Sequence, residues 1–121
     1  MVDPKNHHHI HYIEFAASDV ALAKQFYSTV FGWTFVDYGP EYSSFSAASA
    51  GIDGGFRTAK LEEGFGEAAP LVVLYSTDLS ATEAAIIAAG GGITVPTFEF
   101  PGGRRFHFAD GYGNILAVWS E

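Results

Sequence analysis

A strand-like run leading into a helix-like run occurs twice in this chain, in the same order and at a constant offset. The first run, "YIEFAASD" from Tyr12 to Asp19, is apolar and extended, and "VALAKQFYSTVFGW" follows it with Val20, Ala23, Tyr27 and Val30 at helical spacing. The offset that carries Asp19 onto Asp78 also carries Gly32 onto Gly91. It brings up "LVVLYSTD" and then "LSATEAAIIAAGGG", with Leu79, Ile86 and Ala89 on one stripe. Asp at a helix start accepts hydrogen bonds from free backbone N–H groups, and glycine suits a left-handed helix exit. Ser80 and Glu83 have the spacing of a capping box in the second helix.

Each helix is followed by three short strand-like runs. In the first half these are Thr34 to Tyr38, Tyr42 to Ala48 and Gly51 to Thr58; in the second, Ile93 to Phe98, Arg104 to Ala109 and Asn114 to Ser120. Gly39-Pro40, Gly51, Pro101-Gly102-Gly103 and "DGYGN" at Asp110 to Asn114 separate them as turns. The pattern predicts an α+β fold of two βαβββ modules, about 9–58 and 70–120, joined by the polar, glycine-containing stretch 59–69. A four-stranded sheet with one helix leaves a face uncovered. Two modules are therefore expected to pair, with curved mixed sheets around a cleft.

The 121 residues, 48% of them hydrophobic, are enough for one real core and too few for two ordinary domains. A formal charge of −8 repels phosphate backbones and anionic membrane surfaces, so neither nucleic acid nor membrane is an expected partner. No cysteine is present, which removes thiolate chemistry and disulfides. No run approaches about eighteen apolar residues and no secretory-type apolar segment opens the chain, so a cytoplasmic location is expected. The glycine-rich stretches lack phosphate-cradling spacing, and Ser43, Ser44 and Ser46 lie in no G-x-S-x-G elbow.

Four histidines stand close together at His7, His8, His9 and His11. Imidazole is a common metal ligand, and strand alternation would put His7, His9 and His11 on one side. Against this, no Cys, Asp or Glu stands among them to complete a site, and near-terminal histidine runs also arise as tag remnants.

The motifs "FYSTVFGW" at Phe26 to Trp33 and "FADGYGNILAVW" at Phe108 to Trp119, with "AAGGGITVP" at Ala88 to Pro96 between them, resemble those of the vicinal oxygen chelate superfamily. That superfamily includes glyoxalase I, bleomycin-resistance proteins and extradiol dioxygenases. The chain most resembles its small bacterial glyoxalase-related, or lactoylglutathione-lyase-related, proteins. The resemblance runs from His11 to Ser120 and implies where metal-using members place their ligands. The first-strand positions are Tyr12 and Leu71, the last-strand glutamate position is Ala117, and the fourth falls near Gly54 or Gly55, with Asp53 the nearest acid. Leu and Ala offer no lone pair, and zinc or nickel needs about four to six donors, so no metal and no cofactor are expected. His11 is one residue out of register with Tyr12 and faces the other way.

By the same alternation, the cleft side would hold Tyr12 and Glu14 on the first strand, Leu71 and Val73 on its counterpart, Arg105 and His107, and Ile115, Ala117 and Trp119. Ile13, Phe15, Phe106 and Phe108 would face the helices. An apolar wall with a few polar groups suits a small organic ligand. The expected ligand-binding residues are Tyr12, Glu14, Leu71, Arg105, His107, Ala117 and Trp119. Arg105 can hold a carboxylate or phosphate, and Glu14 with His107 can exchange protons if they meet. Each also has a structural reading: Arg105 as a solvated strand end, Glu14 as a partner of Arg57 or Arg105, His107 as a hydrogen-bonded structural histidine, Trp33 and Trp119 as core aromatics.

Two function classes follow. One is metal-free binding of a small, apolar or aromatic molecule, as the resemblance to bleomycin-resistance proteins implies. The other is a glyoxalase-related lyase or isomerase, either metal-dependent or using Glu14 and His107 as acid and base. Members of about this length imply a homodimer, which would also cover exposed sheet edges.

Overall fold

The structure, a computed structural model, describes residues 3–60 and 69–121. Most of the expected linker, residues 61–68, lies outside the described residues. The first module runs β1 (Tyr12–Ala17), α1 (Val20–Phe31), β2 (Phe35–Asp37), β3 (Tyr42–Phe45), a one-turn helix α2 (Ala47–Ala50) and β4 (Asp53–Thr58). The second runs β5 (Val73–Tyr75), α3 (Leu79–Ala88), β6 (Gly92–Phe100), β7 (Gly103–Ala109) and β8 (Ile115–Ser120). Each builds a four-stranded mixed sheet, in the order β1-β4-β3-β2 and β5-β8-β7-β6. In both, first and last strands pair in parallel and the rest antiparallel. This is the expected α+β, twice βαβββ arrangement.

Local chemistry sets the helix boundaries. Asp19 accepts the N–H of Leu22 at 2.9 Å and Asp78 that of Ala81 at 3.1 Å, so each aspartate caps its helix. Gly32 ends α1 in the left-handed region at φ 73°. In the second module that conformation falls on Gly90, one residue earlier than the repeat predicts. The expected Ser80–Glu83 box is not the cap: Ser80 sits inside the first turn, behind Asp78.

The run expected as one strand from Tyr42 to Ala48 breaks after Phe45. Asp53 accepts the Ala47 N–H at 2.6 Å, and Gly51 closes the turn at φ 91°, which folds α2 out of the strand's end. The His7–His9 segment is not a strand either. It is an exposed turn after a 3₁₀ turn at Pro4–Asn6, with the His7 and His8 rings stacked at 3.8 Å.

One core serves both modules. Tyr27 packs on Phe56 of sheet one at 5.0 Å between ring centroids, while its neighbour Phe26 stacks on Phe108 of sheet two at 6.2 Å. Phe56, Phe106, Phe108, Ile86, Leu116 and Val118 are wholly buried in that cluster. The Tyr27 hydroxyl reaches across to donate to Asp110 at 2.9 Å, and Asn114 Nδ2 donates to the Ala16 carbonyl at 2.8 Å. Burial above all, with the Asp110 charge and hydrogen bond, pushes the Tyr27 phenol well up. The helix-side faces of both sheets therefore look onto shared packing, and their opposite faces lie outside it. No helix among the described residues is long and apolar enough to cross a membrane.

Candidate functional site

The open face of sheet two gathers most of the residues singled out from the sequence. The pairing β5-β8-β7 sets Val73 beside Ala117 and Ala117 beside His107, and in the next row sets Tyr75 beside Trp119 and Trp119 beside Arg105. On the far side β6 brings Val95 against His107 and Phe98 against Arg105. Phe106 and Phe108, one residue out of step, are buried in the core, so alternation delivers Arg105 and His107 together to the open face. Leu71 precedes β5 and is partly exposed.

The Arg105 guanidinium carbon lies 5.3 Å from the Phe98 ring centroid and 5.6 Å from that of Phe100. Cation–π attraction to two rings fixes where this charge sits. The ion pairs among the described residues are Lys24–Asp37 and Glu14–Arg57, so Arg105 has no acidic partner among them. Its Nε is buried without a hydrogen-bond partner among the described residues, and so is Nε2 of His107. Burial first, then the neighbouring Arg105 charge, lowers the His107 pKa and favours neutral imidazole. The Phe98 side of this pair is the feature that sequence reading missed. Two β-bulge-like register shifts in β6 re-aim its side chains, and residue alternation cannot foresee them.

Glu14 and Tyr12 lie elsewhere, on the open face of sheet one. Glu14 meets Arg57 at 3.5 Å, the internal pairing that the sequence left open. Tyr12 and Tyr42 share a hydroxyl–hydroxyl hydrogen bond. Burial, then hydrogen bonds to Tyr12 and to Glu14, raise the Tyr42 phenol pKa. No hydrogen bond or ion pair among the described residues joins Glu14 to His107.

A cavity of about 440 Å³ opens on the helix side of sheet one, between β1 and β5, and is walled by Phe15, Phe31, Trp33, Phe45, Ile52 and Leu74 among others, with Val73 and Tyr75 shared with the open face of sheet two. None of the seven expected ligand-binding residues lines it.

A family model described as the Glyoxalase/Bleomycin resistance protein/Dioxygenase superfamily matches residues 9–118. The chain belongs to this superfamily. Among solved structures, a glyoxalase-related enzyme from Fulvimarina pelagi is similar over 94% of this chain and 88% of its own, with a TM-score of 0.76 and 19% identity. The genomically encoded fosfomycin resistance protein FosX from Listeria monocytogenes aligns over 100% of this chain and 95% of its own, at TM-score 0.75 and 13% identity. A glyoxalase/bleomycin resistance protein/dioxygenase family enzyme from Burkholderia phytofirmans PsJN covers 90% of this chain and 95% of its own, at 0.72 and 17%. At these identities the likeness is one of fold. No curated protein matches the sequence.

The ligand positions implied for metal-using members of the glyoxalase superfamily do not fit a metal in this chain. Leu71 and Ala117 carry no donor, and the Tyr12 hydroxyl is bonded to Tyr42. A Cβ at Gly55 would lie 2.6 Å from the Tyr42 hydroxyl, so Tyr42 fills the space of any ligand there. Asp53 is engaged in capping α2. Among the described residues no three His, Cys, Asp or Glu side chains gather in a group able to hold a metal.

Proposed function

We propose that this glyoxalase-superfamily chain binds a small organic anion with an apolar or aromatic body on the open face of sheet two, without the metal used elsewhere in the superfamily. The observation that carries this reading is the pair of buried nitrogens, Arg105 Nε and His107 Nε2, left without hydrogen-bond partners among the described residues. Buried polar groups are almost always satisfied, and an unmet one costs about 1–3 kcal/mol. A ligand carboxylate or phosphate oxygen supplies the missing acceptor for the guanidinium. Trp119, Tyr75 and Val73 provide apolar surface for the body of the molecule, with the Tyr75 and Trp119 rings 5.2 Å apart. Proton exchange between Glu14 and His107 gains no support from the geometry, because Glu14 is held by Arg57 on the other sheet.

Titrating 1-naphthoate against Trp119 fluorescence, in a Trp33→Phe background, tests the reading. Arg105→Ala is expected to weaken binding by roughly 1.5–3 kcal/mol, the range for a hydrogen bond to a charged group. Lys24→Ala, which removes a side chain committed to Asp37 at 2.9 Å, should leave it unchanged. Equal effects from the two substitutions would sink the assignment of Arg105.

The metal-free part of the proposal has its own check. Protein lacking residues 1–8 and dialysed after purification is expected to hold far less than one equivalent of zinc, nickel, iron or manganese by elemental analysis. A full equivalent would mean that the ligands lie at other positions.

The proposed assembly is a homodimer. Val73, Tyr75, Val95, Phe98 and Ile115 are exposed together on the open face of sheet two, an apolar surface of the kind that a second copy covers. Such a cover would leave the Arg105 anchor in a cleft between copies. Sedimentation equilibrium should give a dimer at micromolar concentration, and a monomer there would remove this part of the proposal.

A further inference from the structure

The cavity between β1 and β5 adjoins the Arg105 face, sharing Val73 and Tyr75 with it, but does not include Arg105 and differs from that face in chemistry. Phe15 stacks on Phe56 at 5.1 Å, which fixes that wall to the helix side of sheet one, opposite Glu14. No charged side chain among the described residues lines the cavity. Two of the lining residues carry hydroxyls, Ser49 and Tyr75, and that of Ser49 donates to the Ser46 carbonyl at 3.2 Å and accepts the Thr34 N–H at 3.0 Å. The cavity's volume of about 440 Å³ lies within the roughly 300–1,000 Å³ of small-molecule pockets. The wall residues come from β1, the end of α1, β3, the turn after α2 and β5. The space thus belongs to the junction of the two modules.

The lining restricts the occupant. An ionised group here would find no opposite charge among the described residues to offset the hydration it gives up. Most of the side chains that line the space are apolar or aromatic, so its walls favour a guest with apolar surface. We propose that this cavity is a second binding site, separate from the Arg105 anchor, for an uncharged and mainly apolar small molecule. It takes an aromatic or alicyclic ring system edged by Phe31, Trp33 and Phe45, and it discriminates against carboxylates.

N-phenyl-1-naphthylamine, a neutral dye that brightens in apolar surroundings, is the compound for the test, used with the full chain. Titration is expected to saturate at one dye per chain, with excitation of Trp33 transferred to the dye and that transfer lost in Trp33→Phe. Ala50→Phe, which fills the space from the end of α2, should weaken binding at least ten-fold. Leu74→Trp fills it from β5 and serves if Ala50→Phe does not fold, circular dichroism deciding that point. Arg105→Ala should leave dye affinity unchanged. The proposal is overturned by absence of saturable binding, by absence of transfer from Trp33, by binding that survives a folded filling variant, or by binding that falls with Arg105→Ala. None of these results bears on whether Arg105 holds an anion.

Discussion

Asp110→Ala is expected to destabilise the fold by about 3–4 kcal/mol, with a drop in Tm on the order of 10 °C. Asp110 is 1% exposed, and its two oxygens accept from four donors: the Tyr27 hydroxyl at 2.9 Å, the Tyr112 N–H at 2.7 Å, the Asn114 N–H at 3.1 Å and Asn114 Nδ2 at 3.2 Å. Alanine removes every acceptor at once. The Tyr27 hydroxyl, on a side chain with no exposure, is then stranded in apolar surroundings, and the loop from Asp110 to Asn114 loses what holds it. Tyr27→Phe, which leaves the three loop bonds in place, should cost about half as much. Urea unfolding of the two variants measures both values, and a loss below about 1 kcal/mol for Asp110→Ala would show that the loop is held by something else.

The second large effect is expected at Gly54. A Cβ there would overlap the backbone carbonyl oxygen of Ile13 on the neighbouring strand and the ring of Phe45, which packs against Trp33 at 4.7 Å. The carbonyl belongs to the β1–β4 ladder and cannot swing aside. Gly54→Ala should therefore cost about 3 kcal/mol, the upper part of the range for overpacking, or abolish soluble expression. Gly55→Ala meets only the far end of the Tyr42 side chain and should be milder, at the expense of the Tyr12–Tyr42 bond. Gly92→Ala meets nothing within 4 Å and is expected to be neutral or slightly stabilising. An unfolding series in which the three variants are equal would contradict the packing described here.

The glycine at 54 illustrates what the sequence does and does not reveal. The double βαβββ order is legible because each helix carries its own boundary chemistry, Asp19 and Gly32 in one, Asp78 in the other, and because apolar residues recur at helical spacing between them. Strand faces are legible for the same local reason: Phe106 and Phe108 alternate with Arg105 and His107, and burial follows. The short helix at Ala47–Ala50 is not legible, since its cap comes from Asp53, beyond the helix, and depends on the turn already being formed. The left-handed residue after α3 is equally ambiguous among three consecutive glycines, Gly90, Gly91 and Gly92, where geometry selects Gly90. At the candidate site, Arg105 and His107 stand out by residue type. The rings of Phe98 and Phe100 do not, because the bulged register of β6 decides where they point. The cavity at the module junction escapes sequence reading altogether, since no periodicity encodes the space left between two packed units.

The interlocked core sets how this repeat protein comes apart. In a tandem array whose units touch only at their borders, each unit can melt by itself. Here the first helix sends Tyr27 into one sheet and Phe26 into the other, so neither half can keep its interior dry alone. Heat or denaturant should meet a single all-or-none transition with equal calorimetric and van't Hoff enthalpies, although the chain is written as two copies of one plan. A gene fragment ending in the 59–69 stretch would encode half a core: a strand–helix–sheet unit whose Phe26 faces water, prone to associate with anything apolar until the other half is supplied.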